Sequence, residues 1–130
     1  MPVAGLILAA GSGSRLGQPK ALVELGGERL VDRAVRVMRD GGCDPIVVVS
    51  GAAPFSVDGV AVFANPDWAT GMGSSLRVGL TALADSAAQA VVVSLVDQPD
   101  IGPEVVRRVI AAFDHTQIVE IARASWRERL

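Results

Sequence analysis

Gly11, Gly13 and Gly17, closed by Arg15 and Lys20, are the residues whose types and spacing point most directly to chemistry. Glycine admits positive φ and lets a ligand approach the main chain, so successive N–H groups can aim at one anion. Ala9 and Ala10 keep the wall beside such a ligand thin. A guanidinium at Arg15 acts as a planar fork and an ammonium at Lys20 as a mobile point charge, and together they suit a triphosphate. Two standard phosphate loops are excluded by spacing. The dinucleotide fingerprint needs its third glycine one residue earlier, with a helix start that Pro19 does not supply. The P-loop needs Lys directly after Gly, whereas Lys20 follows Pro19.

A second dense stretch runs from Asn65 to Leu76, reading NPDWATGMGSSL. Gly71 and Gly73 permit tight backbone approach, and Ser74 or Ser75 is placed to cap a following helix, whose N-terminus favours an anion. Read alone, the stretch fits an ordinary loop and cap equally well. The third candidate is Asp97, at the end of an apolar run. A carboxylate at the carboxyl end of a central parallel strand faces the crevice where open α/β sheets bind ligands. In isolation it reads more readily as a turn cap, and Asp100 is a weaker companion.

These residues need a scaffold, and the apolar runs supply one. Val3 to Leu8, Ile46 to Val49, Val60 to Ala64 and Ala90 to Val96 read as buried strands. Leu30 to Arg39 reads as a helix with Leu30, Ala34, Val37 and Met38 on its inner side and Asp32 and Arg33 on a solvated surface, ended by Gly41 and Gly42. A second helix runs to about Ala84. Pro103 to Phe113 reads as a third, with Val105, Val109 and Ala112 or Phe113 facing inward. Apolar strands separated by helices predict an α/β fold, a parallel sheet with helices on both faces.

Composition narrows the function classes. At 130 residues with half of them apolar, the chain supports one core. A net charge of −2 from 12 basic and 14 acidic side chains gives no excess to attract a nucleic acid or an anionic membrane. No apolar stretch reaches membrane-spanning length and no basic leader precedes Val3, which predicts a cytoplasmic protein. The lone Cys43 excludes an internal disulfide, and it reads as a small buried residue. Trp68 reads as a packing anchor and His115 as a loop residue.

The pattern Leu8-Ala9-Ala10-Gly11-x-Gly13-x-Arg15-x-Gly17-x-Pro19-Lys20 resembles the signature of the sugar-phosphate and cofactor nucleotidyltransferases. The second stretch, Asn65-Pro66-x-Trp68-x-x-Gly71-Met72-Gly73-Ser74-Ser75-Leu76, resembles the matching loop of the molybdenum-cofactor cytidylyltransferases, within the MobA-like NTP transferases. Asp97-Gln98-Pro99 resembles the same group. The resemblance runs from Pro2 to about Phe113, so 1–113 is expected to be the nucleotide-binding domain and 114–130 a tail.

The resemblance implies a Rossmann-like three-layer sandwich of the nucleotide-diphospho-sugar transferase type, incomplete at its C-terminus. It implies nucleotide contacts from Leu8, Ala9, Ala10, Gly11, Ser12, Gly13, Arg15 and Lys20, with Asn65, Gly71, Gly73, Ser74 and Ser75 beside the base or ribose. Arg15, Lys20 and Asp97 would be catalytic, with Asp97 the ligand of Mg²⁺. The expected reaction moves a nucleoside monophosphate from an NTP, CTP favoured, to a phosphorylated acceptor such as molybdopterin. A molybdoenzyme or chaperone would be a further partner.

In relatives the chain continues into a Gly-His-Pro segment and a second acidic metal ligand, whereas this sequence ends Arg127-Glu128-Arg129-Leu130. A truncated chain is therefore expected, with an inactive nucleotide-binding fragment as one alternative. Another is an NAD(P)H-dependent oxidoreductase of the nicotine blue type, which similar sequences also suggest, against the misfit to the dinucleotide fingerprint.

Overall fold

The computed structural model describes residues 2–10, 19–52 and 54–112. Four strands form one sheet in the order β5-β4-β1-β6: β1 (Val3–Ala9), β4 (Ile46–Ser50), β5 (Ala61–Ala64) and β6 (Ala90–Leu95). Every neighbouring pair is parallel, with Gly5 opposite Ile46 and Val92, and Val47 opposite Ala61. A two-residue-per-strand antiparallel hairpin, β2 (Glu24–Leu25) with β3 (Glu28–Arg29), leads into α1 (Leu30–Asp40).

Strand alternation sorts the core into two layers. Val3, Ile7 and Ala9 pack with Val31, Val35 and Met38 of α1 and Val106 of α3 (Pro103–Ala112). Ala4, Leu6 and Leu8 pack with Leu76 and Leu83 of α2 (Met72–Leu83) on the opposite face. The result is the expected three-layer sandwich around a mostly parallel sheet. Both faces of β1 and β4 are buried, which is why they read as unbroken apolar runs rather than alternating ones.

Several details depart from the expectations. The run Ala90 to Val96 reads as a central strand, yet the strand observed there, β6, is an edge of the described sheet, and β1 lies between it and β4. The inner side of α1 is centred on Val31, Val35, Val37 and Met38. Arg33 is not a free surface group: its Nη1 donates to the Ile101 carbonyl at 3.0 Å, while Asp32 accepts two bonds from Arg29 at 2.6 and 2.9 Å. On α3 the inward face is Val106 and Ile110, whereas Val105 and Val109 are 44% and 50% exposed. A methyl added at Gly41 would lie 2.5 Å from Val106 Cβ. The bare backbone at the end of α1 therefore seats Val106, and α3 is rotated accordingly. The left-handed turn expected at the end of α1 falls on Gly42, at φ 104°, while Gly41 is glycine for space.

Cys43 is buried with its Sγ 3.8 Å from Met38 Sδ, and burial pushes its thiol up to about 11. Alkylation by iodoacetamide at pH 8 should be far slower than for the same cysteine in the denatured chain, because the thiolate is the nucleophile. The folded thiol keeps its proton after the unfolded one has lost it. This contribution to stability is thus present below about pH 9 and declines as pH rises toward 11. A flat alkaline denaturation profile in wild type and Cys43→Ala alike would contradict it.

Candidate active site

The strand order places a topological switch point between β1 and β6, since the connection from β1 runs toward β4 and the chain returns to the other side of β1 only at β6. Open α/β sheets bind ligands outside the carboxyl ends of such strands. There β1 ends in Leu8 and Ala9, with Ala10 following, and β6 runs into Val96, whose N–H still bonds the Leu8 carbonyl at 3.1 Å. Asp97 is the next residue.

Lys20 begins a short 3₁₀ turn, Lys20–Leu22, and its Nζ lies 3.2 Å from Asp97 Oδ2. The two are 77 positions apart in sequence. Both stay accessible, at 56% and 40% exposure, so their pairing adds little to stability and leaves both free to engage a ligand. The Asp97 turn is itself held: Gln98 Oε1 accepts from Leu95 N–H at 3.2 Å, and Ile101, just beyond, is the residue that Arg33 grips.

At the carboxyl ends of β1 and β6 lie two open clefts that share Leu8, Met72 and Leu95. The smaller, about 200 Å³, is also lined by Ala10, Trp68, Gly71 and Ser75. The larger, about 570 Å³, is also lined by Gly73, Leu76, Val93, Ser94 and Gln98. Gly71 and Gly73 thus both border the clefts, and the first turn of α2 forms a wall.

The sequence offers Ser74 or Ser75 as the helix cap, and neither is one. Gly71, at φ 124°, precedes the helix without a side-chain cap, and both serines sit inside it. Ser74 Oγ turns back to the carbonyls of Gly71 at 2.9 Å and Asp67 at 3.1 Å. Asn65 ties the loop together. It is 2% exposed, its Nδ2 donates to Ser74 Oγ and Ser75 Oγ at 2.9 Å each, and its Oδ1 accepts from Asp67 N–H at 2.9 Å. With its polar atoms so engaged, Asn65 holds the wall of the cleft from behind. Asn65→Ala should cost about 2–3 kcal/mol, since it removes the Asn65 partner of the Asp67 N–H and of the buried Ser75 hydroxyl and leaves a void, while Ser74 Oγ keeps its two carbonyls. Chemical denaturation checks this, and a loss below about 0.5 kcal/mol would contradict it.

Gly11, Ser12, Gly13 and Arg15 lie outside the described residues, as do His115 and the tail 113–130. Sequence reasoning missed Gly51, which follows β4 and touches the backbone of Ala10, and Gly79, which lets α2 settle on Leu6. Neither carries a local signal, because each is glycine for the sake of a distant partner.

A parallel sheet with helices on both faces and a lysine–carboxylate pair at its switch point defines a Rossmann-like three-layer α/β protein. The chain belongs to the MobA-like NTP transferase family, whose domain description matches residues 5–130. It is 38% identical over 133 residues to a nicotine blue oxidoreductase of Paenarthrobacter nicotinovorans, covering 95% of this chain and 63% of that protein. It is 32% identical over 114 residues to a molybdenum cofactor guanylyltransferase of Rhodobacter capsulatus, covering 86% and 60%. Among solved structures, Rv0371c of Mycobacterium tuberculosis H37Rv aligns with a TM-score of 0.72 and 30% identity, over 86% of this chain and 60% of that one. That protein has also been solved in complex with manganese. The chain spans somewhat under two-thirds of the length of these relatives. Among the described residues no helix is long and apolar enough to cross a membrane.

Proposed function

We propose that this chain carries the nucleotide site of a nucleotidyltransferase, which moves a nucleoside monophosphate from an NTP to a phosphorylated acceptor and releases pyrophosphate. The observation that carries the reading is the meeting of Lys20 and Asp97 at 3.2 Å at the switch point, where β1 and β6 leave the sheet. An acceptor phosphate oxygen attacks the α-phosphorus. As the new P–O bond forms, the bond to the bridging oxygen of the β-phosphate breaks, and pyrophosphate leaves with that electron pair. An attacking phosphate that is already ionised needs no general base. Positioning and charge neutralisation remain, and these are what the site offers.

Lys20 places its ammonium where charge grows on the transferring group. Gly11, Gly13 and Arg15 bind the phosphates, as the sequence pattern predicts. The amide end of α2, bordered by Gly71 and Gly73, adds positive potential to the cleft wall. The nucleoside lies against Leu8, Ala9 and Ala10, with Asn65, Ser74 and Ser75 shaping the wall beside it.

The donor set fits Mg²⁺ in one particular way. Among the described residues no three His, Cys, Asp or Glu side chains cluster, so no all-protein cage exists there. An accessible Asp97 carboxylate, next in sequence to Gln98 of the larger cleft, suits an ion held by one carboxylate plus substrate phosphates and water. Bound there, Mg²⁺ would supply charge stabilisation at the nucleotide oxygens.

CTP is the base expectation from the Asn65 to Leu76 motif, while the Rhodobacter relative is named for guanylyl transfer. A molybdopterin-type phosphate is the proposed acceptor, with a molybdoenzyme or its chaperone as the downstream partner and the cytoplasm as the setting. Thermal unfolding with CTP and with GTP, each with Mg²⁺, tests the site: ligand at ~100 times Kd should stabilise the fold by about 2.7 kcal/mol. Pyrophosphate release then tests turnover. Binding without turnover would identify an inactive nucleotide-binding fragment. A second reading, reduction of a dye by NAD(P)H, is favoured by the 38% identity to the Paenarthrobacter oxidoreductase. NADPH consumption with no response to any NTP would replace the transferase reading by that one.

A further inference from the structure

We infer that Arg33 is a positioning residue for the Asp97 carboxylate, a role that rests on the nucleotidyltransferase reading above. Asp97 is not fixed by its own side-chain contact. Its partner among the described residues, the Lys20 ammonium at 3.2 Å, is exposed, and the carboxylate itself is accessible. A pair so placed is too weak to hold a side chain in one geometry. The backbone on either side must therefore set where the carboxylate stands.

Upstream, Val96 is buried in the core layer of α1, and its N–H bonds the Leu8 carbonyl at 3.1 Å. Downstream, Pro99 and Asp100 form the centre of a turn that the Ile101 N–H closes onto the Gln98 carbonyl at 3.2 Å, with proline where such turns favour it. Gln98 Oε1 in turn accepts from the Leu95 N–H at 3.2 Å, so the segment from Asp97 to Ile101 moves as a unit. Ile101 packs against the same layer only in part, and an apolar contact lets its peptide rotate. Arg33 removes that freedom: from α1, its half-buried guanidinium donates to the Ile101 carbonyl at 3.0 Å. Asp97 thus stands on a short bridge, held at one end by β1 and at the other by α1. Without Arg33 the far end turns, and the carboxylate turns with it. Groups that orient a metal ligand from behind typically change metal affinity about 10–100-fold when they are removed.

The experiment measures Mn²⁺ affinity by electron paramagnetic resonance in the presence of CTP and of GTP, alongside melting and nucleotide affinity in EDTA. Arg33→Met keeps the aliphatic stem and removes the donor. It should bind Mn²⁺ at least about tenfold more weakly, with metal-free nucleotide affinity little changed. Arg33→Lys keeps a charged donor of different shape and should recover part of the loss. Arg107→Met is the control. Arg107 Nη1 makes the same kind of bond, to the Asp40 carbonyl at 2.9 Å, but at the C-terminal end of α1, near where Asp44 bonds the first residue of β1. Its loss should lower the melting temperature to a similar degree and leave Mn²⁺ affinity as in wild type.

If Arg33→Met does not fold, a chain with one glycine inserted between Asp100 and Ile101 decides the matter. There Arg33 keeps its carbonyl while the bridge to Asp97 is slack, and Mn²⁺ should again bind at least about tenfold more weakly. Wild-type Mn²⁺ affinity in Arg33→Met, or in the inserted chain, overturns the inference alone, as does an equal loss in Arg107→Met. A wild-type chain that binds no Mn²⁺ with either nucleotide, or an Asp97→Ala chain that binds it as well as wild type, overturns the placing of the metal on Asp97 in the transferase reading and this inference with it.

Discussion

Changing Lys20 to alanine should lower the rate of nucleotidyl transfer about 10²–10³-fold while leaving the fold nearly unchanged. The size follows from removing one preorganised charge aimed at a transition state, which in other enzymes costs about 3–4 kcal/mol of barrier. The near-neutral effect on stability follows from exposure. A pair with side chains 56% and 40% accessible is screened by water, and such pairs contribute at most about 1 kcal/mol. The two effects therefore separate cleanly. Single-turnover kinetics with the preferred NTP and Mg²⁺, set beside a melting curve, reads both. Asp97→Ala should likewise remove the Mg²⁺ dependence of nucleotide binding. A Lys20→Ala chain that melts early, or that transfers at the wild-type rate, would remove Lys20 from the site. Lys20→Arg keeps the charge but changes its shape, and partial rescue is the expected result.

The largest expected loss of stability comes from Gly79→Val. Gly79 lies in the middle of α2, where an exposed glycine would be a weak point that alanine improves by up to about 1 kcal/mol. Here the sign reverses. A Cβ at this position would come within 2.3 Å of Leu6 Cδ1 and 2.6 Å of Cδ2, and Leu6 is fully buried in the layer between the sheet and α2. Leu6 cannot turn aside into a close-packed core, so the helix must lift from β1 and open gaps at Leu76 and Leu83. Overpacking of this kind costs typically 1–3 kcal/mol, and the extra methyls of valine place this site at about 3 kcal/mol. For a domain of this size that corresponds to a fall in Tm of roughly 10 °C. An unchanged Tm would mean that α2 sits further from the sheet than the structure shows. The first turn of α2 walls the clefts, so nucleotide affinity should fall as well.

The two layers of the core show why so much of the fold is legible in the chain. β1 and β4 are buried on both faces, so each appears as an unbroken apolar run that no helix of ordinary length would need. The helices between them force the strands parallel. The lysine, the glycines and the carboxylate of the candidate site were equally visible, because their types are those that phosphate and metal chemistry requires. Their assembly was not visible in the same way: Lys20 and Asp97 are 77 residues apart, and only the motif resemblance suggested that they meet.

The facing of α3 marks the opposite limit. Val105, Val106, Val109 and Ile110 give this helix two adjacent apolar faces, about 100° apart, between which periodicity cannot choose. The space left by Gly41 chooses Val106. Ser74 and Ser75 were misread for a related reason, since a helix start depends on where Gly71 turns and on what Asn65 already holds.

The sequence by itself therefore determined the strands, the layers and the chemical character of the site, because burial and phosphate binding each leave a periodic or compositional trace in the residues that perform them. Only the tertiary structure decided the order of the strands, the facing of α3 and the need for glycine at 41, 51 and 79. Those depend on the distance to an atom far away in the chain, and local sequence carries no record of it.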